Sequence, residues 1–279
     1  MDKAIVGGLY IVATPIGNMG DITARAVEIM QGAAVIACED TRVTAKLLVR
    51  HGLSTPLVRY DEHSAPRSRP KLLQRLQAGE VVALVSDAGT PLISDPGYKL
   101  VAEAIDLGIT VYPIPGASSV MAALSVAGLP TDRFMFAGFL PPKQGKRRAA
   151  LVELAGIEAT LVLLESPKRL AAALADMALV LGPRPAVVAR ELTKFFEEVR
   201  RAGLDELART YAEEDTPRGE IVVVIGPPDG SGEAVDVAAM LKLELETHSV
   251  KEATALVTAR TGLPRKTVYA EALILAKDI

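Results

Sequence analysis

Short apolar runs recur along the first half of the chain, and each is followed by a turn and then by a helix-like pattern. The runs are LYIVAT (9–14), VIAC (35–38), VVALV (81–85) and ITVYPI (109–114). Runs of this length between turn signals are typical of buried strands. The segments between them carry helical spacing, as in KLLQRLQ (71–77), which Gly79 terminates. This alternation predicts a mostly parallel sheet, with Asp21 as the cap of the first helix.

A second series of elements begins after residue 115. Its predicted strands are FMFAGF (134–139), TLVLLE (160–165), AVVARE (186–191) and EIVVVIG (220–226), and its predicted helices span 118–127 and 169–181. The pattern therefore predicts two α/β domains, over residues 1–115 and 116–228. The two halves are not similar enough in sequence to indicate a duplication.

The C-terminal segment differs in character from both predicted domains. PPDGSGE (227–233) has the composition of a linker, and three helical patterns follow it at 235–246, 250–260 and 264–277. They predict a small helical domain over residues 233–279. The glycine turn at Gly262 and the basic helix start at Arg265 and Lys266 resemble a helix-turn-helix that presents these cations to nucleic acid. A helical module used only for packing or dimerisation fits the pattern equally well.

Composition narrows the function classes. The chain has 279 residues, 49% of them hydrophobic and 23% charged, which is typical of a globular protein. The single cysteine, Cys38, excludes an internal disulfide, and the three histidines, His51, His63 and His248, are scattered, so we expect no metal site. No leader and no apolar run of about 20 residues is present, which predicts a soluble protein of a reducing cytoplasm.

A net charge of −3 means that any contact with RNA must come from local basic patches. The strongest patch is PPKQGKRR (141–148), which we predict to be a loop that binds RNA through Lys143, Lys146, Arg147 and Arg148. RYDEHSAPRSRPK (59–71) is the second candidate, and its only aromatic residue is Tyr60, so backbone contact is favoured over base recognition. The alternative for both patches is a solvated surface turn.

Two turn-forming stretches are candidates for a ligand site. SDAGTPLISDPG (86–97) and PIPGASS (113–119) each follow a predicted strand and precede a predicted helix. Loops at the carboxyl ends of parallel strands are where such folds bind ligands. Asp87 supplies a charge, Ser118 a hydroxyl, and Gly89 allows close approach of the backbone. Ordinary turns use the same residues, but several such loops in one register favour a ligand site.

Six motifs together carry a resemblance to a known family. They are LYIVATPIGNMGDIT, CEDTR, LVSDAGTPLISDPGYKLV, PIPGASSVMAALSVAGLPTDRFMFAGFLP, LLES and ARELTK, in this order over most of the chain. The chain resembles the family of ribosomal RNA small-subunit methyltransferase I, in the tetrapyrrole methylase superfamily. The resemblance implies two α/β domains with S-adenosylmethionine in the cleft between them, and 2′-O-methylation of a cytidine in the decoding region of 16S rRNA. It also implies a homodimer that acts on this RNA or on the assembled small subunit.

The same resemblance implies a set of cofactor-binding residues. They are Pro15, Asp87, Gly89, Thr90, Leu92 and Ser118 in the first domain, and Leu164, Glu165, Pro217 and Gly219 in the second. Asp87 suits the cationic amino group or a hydroxyl. Glu165 is equally compatible with a helix start in which Ser166 is the cap and Pro167 lies in the first turn. Members of the family often carry a histidine after the ES pair, whereas this chain has Lys168, which argues against histidine-based proton transfer there.

The chemistry of methyl transfer defines the remaining candidates. A sulfonium is an activated methyl donor, so the enzyme mainly aligns the reacting atoms. A ribose hydroxyl is weakly acidic, so a base, or a cation that stabilises the alkoxide, would help. CEDTR and RELTK supply the candidates, which are Glu39 and Asp40 as proton acceptors and Arg42, Arg190 and Lys194 as cations. Structural ion pairs are an equal alternative for each of them.

Two other functions are compatible with parts of the chain. A methyltransferase of a small tetrapyrrole precursor would use the same fold and cofactor, but it would leave the basic patch and the C-terminal helices without a role. A non-enzymatic nucleic-acid-binding regulator with a dinucleotide-binding body would explain the C-terminal helices. PIGNMG (15–20) lacks the GxGxxG pattern that such a body requires.

Overall fold

A computed structural model describes residues 5–228, 237–245, 248–261 and 263–276 of the chain. The chain forms two compact units, residues 1–122 and 123–279. The boundary between these two units does not test the three-domain division given above, which stays a prediction. No helix among the described residues is long and apolar enough to cross a membrane.

The first unit is built on a five-stranded sheet in which every neighbouring pair is parallel. The strands are β1 (Gly8–Val12), β2 (Val35–Cys38), β3 (Leu57–Arg59), β4 (Val81–Val85) and β5 (Val111–Ile114), and their order is β3-β2-β4-β1-β5. The predicted parallel sheet is thus confirmed. β3 was missed because it has only three residues, none of them fully buried, and so it carries little apolar signal.

Helices cover both faces of this sheet. They are α1 (Ala24–Gly32), α2 (Thr41–Arg50), α3 (Ala65–Gln77) and α4 (Tyr98–Asp106). The next helix in the chain, α5 (Ser119–Ala127), spans the division between the two units. Side chains alternate along a strand, so Tyr10 and Val12 pack with Met30 on one face, whereas Leu9 packs with Leu72 on the other.

The start of α1 corrects one prediction. Thr23, and not Asp21, caps this helix, because its hydroxyl accepts a hydrogen bond from the Ala26 amide at 3.1 Å. Asp21 ends a short 3-10 helix, Met19–Asp21, whose cap is Asn18. The position decides, because Thr23 stands directly before the first helical residue and Asp21 does not, although aspartate is the better capping residue type.

The second unit contains a mixed five-stranded sheet in the order β6-β7-β10-β8-β9. The strands are β6 (Phe134–Phe139), β7 (Thr160–Glu165), β8 (Pro185–Arg190), β9 (Glu198–Gly203) and β10 (Ile221–Ile225). Only β6 and β7 pair in parallel; the other pairs are antiparallel. The strand β9 was missed because it is a charged strand at the sheet edge, whose side chains form ion pairs such as Arg200–Glu198 and so leave no apolar pattern in the sequence. The predicted combination of two α/β sheets is confirmed.

Helices α6 (Gln144–Ala155), α7 (Leu170–Leu181) and α8 (Leu204–Glu213) complete this core. The helix α6 corrects the prediction of a loop at 141–148, because the helix begins at Gln144 and contains three of the four cations. Arginine and lysine are good helix formers. The prolines of the motif, Pro141 and Pro142, lie before the helix and do not interrupt it.

Three C-terminal helices share a small core of their own. They are α9 (Val237–Leu245), α10 (Val250–Thr261) and α11 (Arg265–Leu275), and Leu241, Val257 and Val268 are buried among them. The predicted helical segment is thus confirmed. Residues 229–233 of the predicted linker, Gly262, and the predicted helix ends at 235, 236, 246 and 277 lie outside the described residues.

Candidate active site

The loops that follow β1 and β4 are joined by their backbones at the carboxyl end of the first sheet. The Thr14 amide donates to the Gly89 carbonyl at 2.9 Å, and the Gly89 amide donates to the Thr14 carbonyl at 3.1 Å. The Thr14 hydroxyl also donates to the Ser86 carbonyl at 3.0 Å. Gly89 is buried and has a φ of 87°, in the left-handed region. In addition, an added Cβ would lie only 3.3 Å from the Ile16 side chain. This position therefore favours glycine on two grounds.

The loop after β5 contacts the loops after β1 and β4 at the same end of the sheet. The Thr90 hydroxyl donates to the Ala117 carbonyl at 3.1 Å, and Gly116 approaches so closely that an added Cβ would lie 3.0 Å from the Ala13 side chain. Ser118 precedes α5, and its hydroxyl accepts from the Met121 amide at 3.5 Å. The structure thus brings the loops that carry Pro15, Gly89, Thr90 and Ser118 together at one end of the sheet.

The loop between β4 and α4 also contains strained backbone. Leu92 and Ser94 have φ values of 74° and 66°, in the left-handed region that side chains with a Cβ disfavour. Such strain persists only where the surrounding structure fixes it, and it is concentrated at functional sites. Leu92 is one of the predicted cofactor residues, and sequence alone indicated nothing of this conformation.

Carboxylates collect beside these loops. Asp87 follows β4, and its Oδ1 accepts a hydrogen bond from the Asp40 amide at 3.0 Å, which ties the loop after β2 to the loop after β4. Burial raises the pKa of Asp87, and this effect outweighs the hydrogen bond from the Asp40 amide, which lowers it. Burial likewise raises the pKa of Glu39, with Asp87 and Asp95 adding to the effect. Burial also raises the pKa of Asp95, which sequence reasoning did not select.

Glu39 and Asp40 differ sharply although they are adjacent. Asp40 caps α2 by accepting from the Arg42 amide at 2.8 Å, and it forms an ion pair with the Arg42 guanidinium at 2.6 Å. These hydrogen bonds hold the pKa of Asp40 well below its usual range. A carboxylate stabilised in this way is a weak base, whereas the raised pKa of Glu39 favours proton uptake. Of the two predicted acceptors, the opposite directions of their pKa shifts favour Glu39 as the base.

The predicted cations of the second unit take part in ion pairs. Arg190, at the end of β8, pairs with Glu198 at 3.1 Å, and Lys194 pairs with Glu191 at 2.8 Å and with Glu220 at 3.2 Å. These pairs fix the turn between β8 and β9. The alternative of structural ion pairs therefore accounts for the geometry of both residues in this structure.

Gly219 lies against the same turn. An added Cβ at Gly219 would lie 2.2 Å from the Glu191 carboxyl group, and the φ of Gly219 is 97°. The Glu191 carboxylate in turn accepts from the Glu220 amide at 2.9 Å. The glycine is thus required for the local packing, whether or not a ligand binds there. Pro217 lies two residues before it and is half-buried.

Glu165 ends β7 with its side chain fully buried. It pairs with Arg169 at 3.0 Å and accepts from the Ser166 amide at 2.7 Å. The chain then forms a 3-10 helix, Pro167–Arg169, so the predicted helix start is confirmed, but the Ser166 side chain forms no capping hydrogen bond. Ser166 is thus the N-cap residue by position, as predicted, and its own amide donates to the Glu165 carboxylate. Leu164, one residue earlier, is half-buried.

The basic patch at 141–148 divides into two parts. Arg147 and Arg148 both bind Asp176 of α7, at 2.5 and 2.6 Å, and the Asp176 side chain is only 1% exposed. Their guanidinium groups are therefore committed to the protein. Lys143 and Lys146 are exposed, as are Arg265 and Lys266 at the start of α11. Asp176 escaped detection because one acidic residue in an apolar helix carries no signal of its partners.

Two family models match the chain. "Tetrapyrrole (Corrin/Porphyrin) Methylases" matches residues 8–208, and "RsmI C-terminal HTH domain" matches residues 231–276. The chain is 49% identical to a protein of Mesorhizobium japonicum, over 96% of this chain and 92% of that protein. It is 45% identical to a protein of Pseudomonas aeruginosa, over 96% and 97% respectively. Both of these proteins are named ribosomal RNA small subunit methyltransferase I.

A solved structure gives the same architecture. The chain is similar to a cobalt precorrin-4 methyltransferase of cobalamin biosynthesis, with a TM-score of 0.57 over 78% of this chain and 94% of that one. The sequence identity is 19%, so this similarity concerns the fold alone.

Proposed function

Because this chain belongs to the family of ribosomal RNA small subunit methyltransferase I, within the tetrapyrrole methylases, we propose that it methylates the ribose 2′-hydroxyl of a cytidine in the decoding region of 16S rRNA, with S-adenosylmethionine as the methyl donor. Its partner is the small-subunit RNA or the assembled subunit, in the cytoplasm. The observation that carries the proposal is the joining of three loops at one sheet end through Thr14, Gly89, Thr90 and Ala117.

The residues at this sheet end fit the proposed cofactor. Gly89 and Gly116 remove side chains where backbones approach closely, and Asp87 offers a half-buried carboxylate to a cationic amino group. We assign Pro15, Asp87, Gly89, Thr90, Leu92 and Ser118 to this role in the first unit. Leu164, Glu165, Pro217 and Gly219 remain the residues expected from the second. The cofactor supplies a methyl group on cationic sulfur, so no metal is needed for its activation.

The chain's own residues then have to accept a proton and hold the RNA. We assign the proton of the 2′-hydroxyl to the Glu39 carboxylate, since burial raises its pKa and so makes it a stronger base. Asp40 and Arg42 position the start of α2 through their ion pair. Arg190 and Lys194 act as positioning residues, because their pairs with glutamates fix the turn after β8.

RNA binding is assigned to the exposed cations. Lys143 and Lys146 at the start of α6, and Arg265 and Lys266 at the start of α11, suit contact with phosphates.

We also propose a homodimer. Light scattering should give about twice the 29.5 kDa mass of one chain, and a monomer would contradict that part of the proposal.

The decisive experiment uses small ribosomal subunits from cells that lack this protein. Incubation with the purified enzyme and labelled S-adenosylmethionine should introduce one methyl group, which mass mapping should place on a cytidine ribose. Glu39→Gln should abolish most of this transfer and leave cofactor affinity unchanged. A methyl group on a base, or none on RNA alongside methylation of a tetrapyrrole, would refute the proposal.

A further inference from the structure

The first unit contains an open cavity of about 430 Å³ that none of the assigned residues lines. Its wall comes from residues 60–69, after β3 and at the start of α3, and from residues 95–99, where the loop after β4 enters α4. This volume lies within the range of pockets that hold small organic groups. The second of these segments continues the loop that carries Asp87 and Gly89.

The cavity wall is held rigidly. The Tyr60 side chain is buried, and its amide donates to the Cys38 carbonyl at 2.7 Å. The Ser64 amide donates to Asp61 at 2.7 Å, and the Asp61 amide donates to the Ser64 hydroxyl at 2.9 Å. Gly97 has a φ of 141°, and an added Cβ would lie 2.8 Å from Leu84. The site is therefore formed before any ligand arrives, which lowers the entropic cost of binding.

The lining combines flat apolar surfaces with charges of both signs. The Tyr98 side chain is 73% exposed at the cavity edge, and Pro66 and Pro96 lie in the wall. Lys99 is exposed, and Asp95 is half-buried. Arg69 also lines the cavity, but it is paired with Glu103 at 2.9 Å. A bare anion would therefore be opposed by Asp95 and Glu62, and a purely apolar ligand would leave these charges unsatisfied. A nucleotide has a planar base, a phosphate and, in cytosine, an amino group that a carboxylate accepts from.

We propose that this cavity binds an unpaired nucleotide of the substrate RNA, with an amino-bearing base stacked on Tyr98, its amino group donating to Asp95 and its phosphate near Lys99. This inference rests on the proposed function, because it takes RNA as the ligand. It also gives residues 59–71 a role: Tyr60 is buried and cannot stack, and Tyr98 of α4 supplies the aromatic surface that this segment lacks.

The test measures binding of labelled eight-nucleotide oligocytidine and oligouridine to the full-length protein at pH 8. Loss of base stacking in Tyr98→Ala should weaken the binding of both oligonucleotides by about tenfold. Tyr98→Phe retains the ring and should bind them as the wild type does. Asp95→Asn should remove the preference for oligocytidine. Lys99→Ala should lower the salt slope of log affinity by about 0.7. Thermal unfolding should show that all variants remain folded.

Two matched variants control for surface changes. Ile105→Ala alters an exposed residue of the same helix away from the cavity, and Lys46→Ala removes an exposed cation of α2. Neither should change binding. Unchanged affinity and base preference in both Tyr98→Ala and Asp95→Asn would overturn the inference even if the enzyme methylates rRNA. Conversely, Asp95-dependent binding without methylation of small subunits would refute the proposed function and leave the cavity assignment standing.

Discussion

Glu39 and Asp40 show how one residue step along the chain changes chemistry. Both follow β2, yet Asp40 is the cap of α2 and the partner of Arg42, while Glu39 lies among carboxylates with its pKa raised mainly by burial. The motif CEDTR marked both as candidates, and sequence could not separate them, because capping and burial depend on the path of the chain after residue 40. The distinction makes their substitutions unequal.

We predict that Glu39→Gln lowers kcat at least a hundredfold, whereas Asp40→Asn affects mainly stability. A base must be deprotonated to act, so in the wild type kcat/KM should rise as pH increases through the raised pKa of Glu39. That limb of the pH profile should lie above the ordinary glutamate value and should disappear in Glu39→Gln. An unchanged acidic limb in this variant would remove Glu39 from the proposed role.

Gly89 permits a second test at the residue scale. Alanine at Gly89 meets both a left-handed φ of 87° and a contact at 3.3 Å, whereas alanine at Gly108 meets a φ of 72° in open space. Both variants should lose about 1–2 kcal/mol of unfolding free energy from the backbone strain. Only Gly89→Ala should also weaken binding of S-adenosylmethionine in calorimetry. Equal cofactor affinity in the two variants would count against the assigned loop.

At the scale of elements, buried strands were predictable and charged elements were not. Apolar runs such as VVALV and TLVLLE became β4 and β7 at the predicted bounds, because burial on both faces leaves a continuous apolar signal. The short β3, the charged β9 and the basic helix α6 have no such signal. The partner that explains α6 is Asp176, 28 residues after Arg148. Tertiary pairing of this kind is invisible to local pattern.

The α6 pairing divides the basic patch into two ion-paired arginines and two exposed lysines. Asp176→Asn leaves Arg147 buried without its counter-charge, so we expect a loss of about 3–5 kcal/mol of unfolding free energy. Lys143→Ala with Lys146→Ala should keep stability unchanged and lower the salt slope of RNA binding by about 1.4, for two phosphate contacts. Denaturation and salt titration of both variants separate these effects. An unaltered salt slope in the double lysine variant would make that surface a solvated one.

At the scale of the whole molecule, a chain with net charge −3 has to bind a polyanion through a few surfaces. The motifs of the family were readable in order along the sequence, so the family and the two sheets could be predicted before the structure. The cavity beside Tyr98 could not, because its walls come from segments about 30 residues apart that only the folded sheet brings together.

The C-terminal helices provide the last prediction. They have their own buried core, and Arg265 and Lys266 stand exposed on the first turn of α11. Truncation of the chain after Pro228 removes all three helices and keeps both sheets. The truncated protein should therefore bind S-adenosylmethionine as the full chain does. Its affinity for small-subunit RNA should fall, and KM for RNA should rise more than kcat falls.

Full-length Arg265→Ala with Lys266→Ala is the matched control for this truncation. If the helices act by binding RNA, this variant should reproduce part of the loss in affinity with its mass and melting temperature unchanged, because both side chains are exposed. If the helices act only by packing, the truncation should change the oligomeric state or the stability, and the double variant should behave as the wild type. A stable truncated protein with full activity on small subunits would exclude both roles.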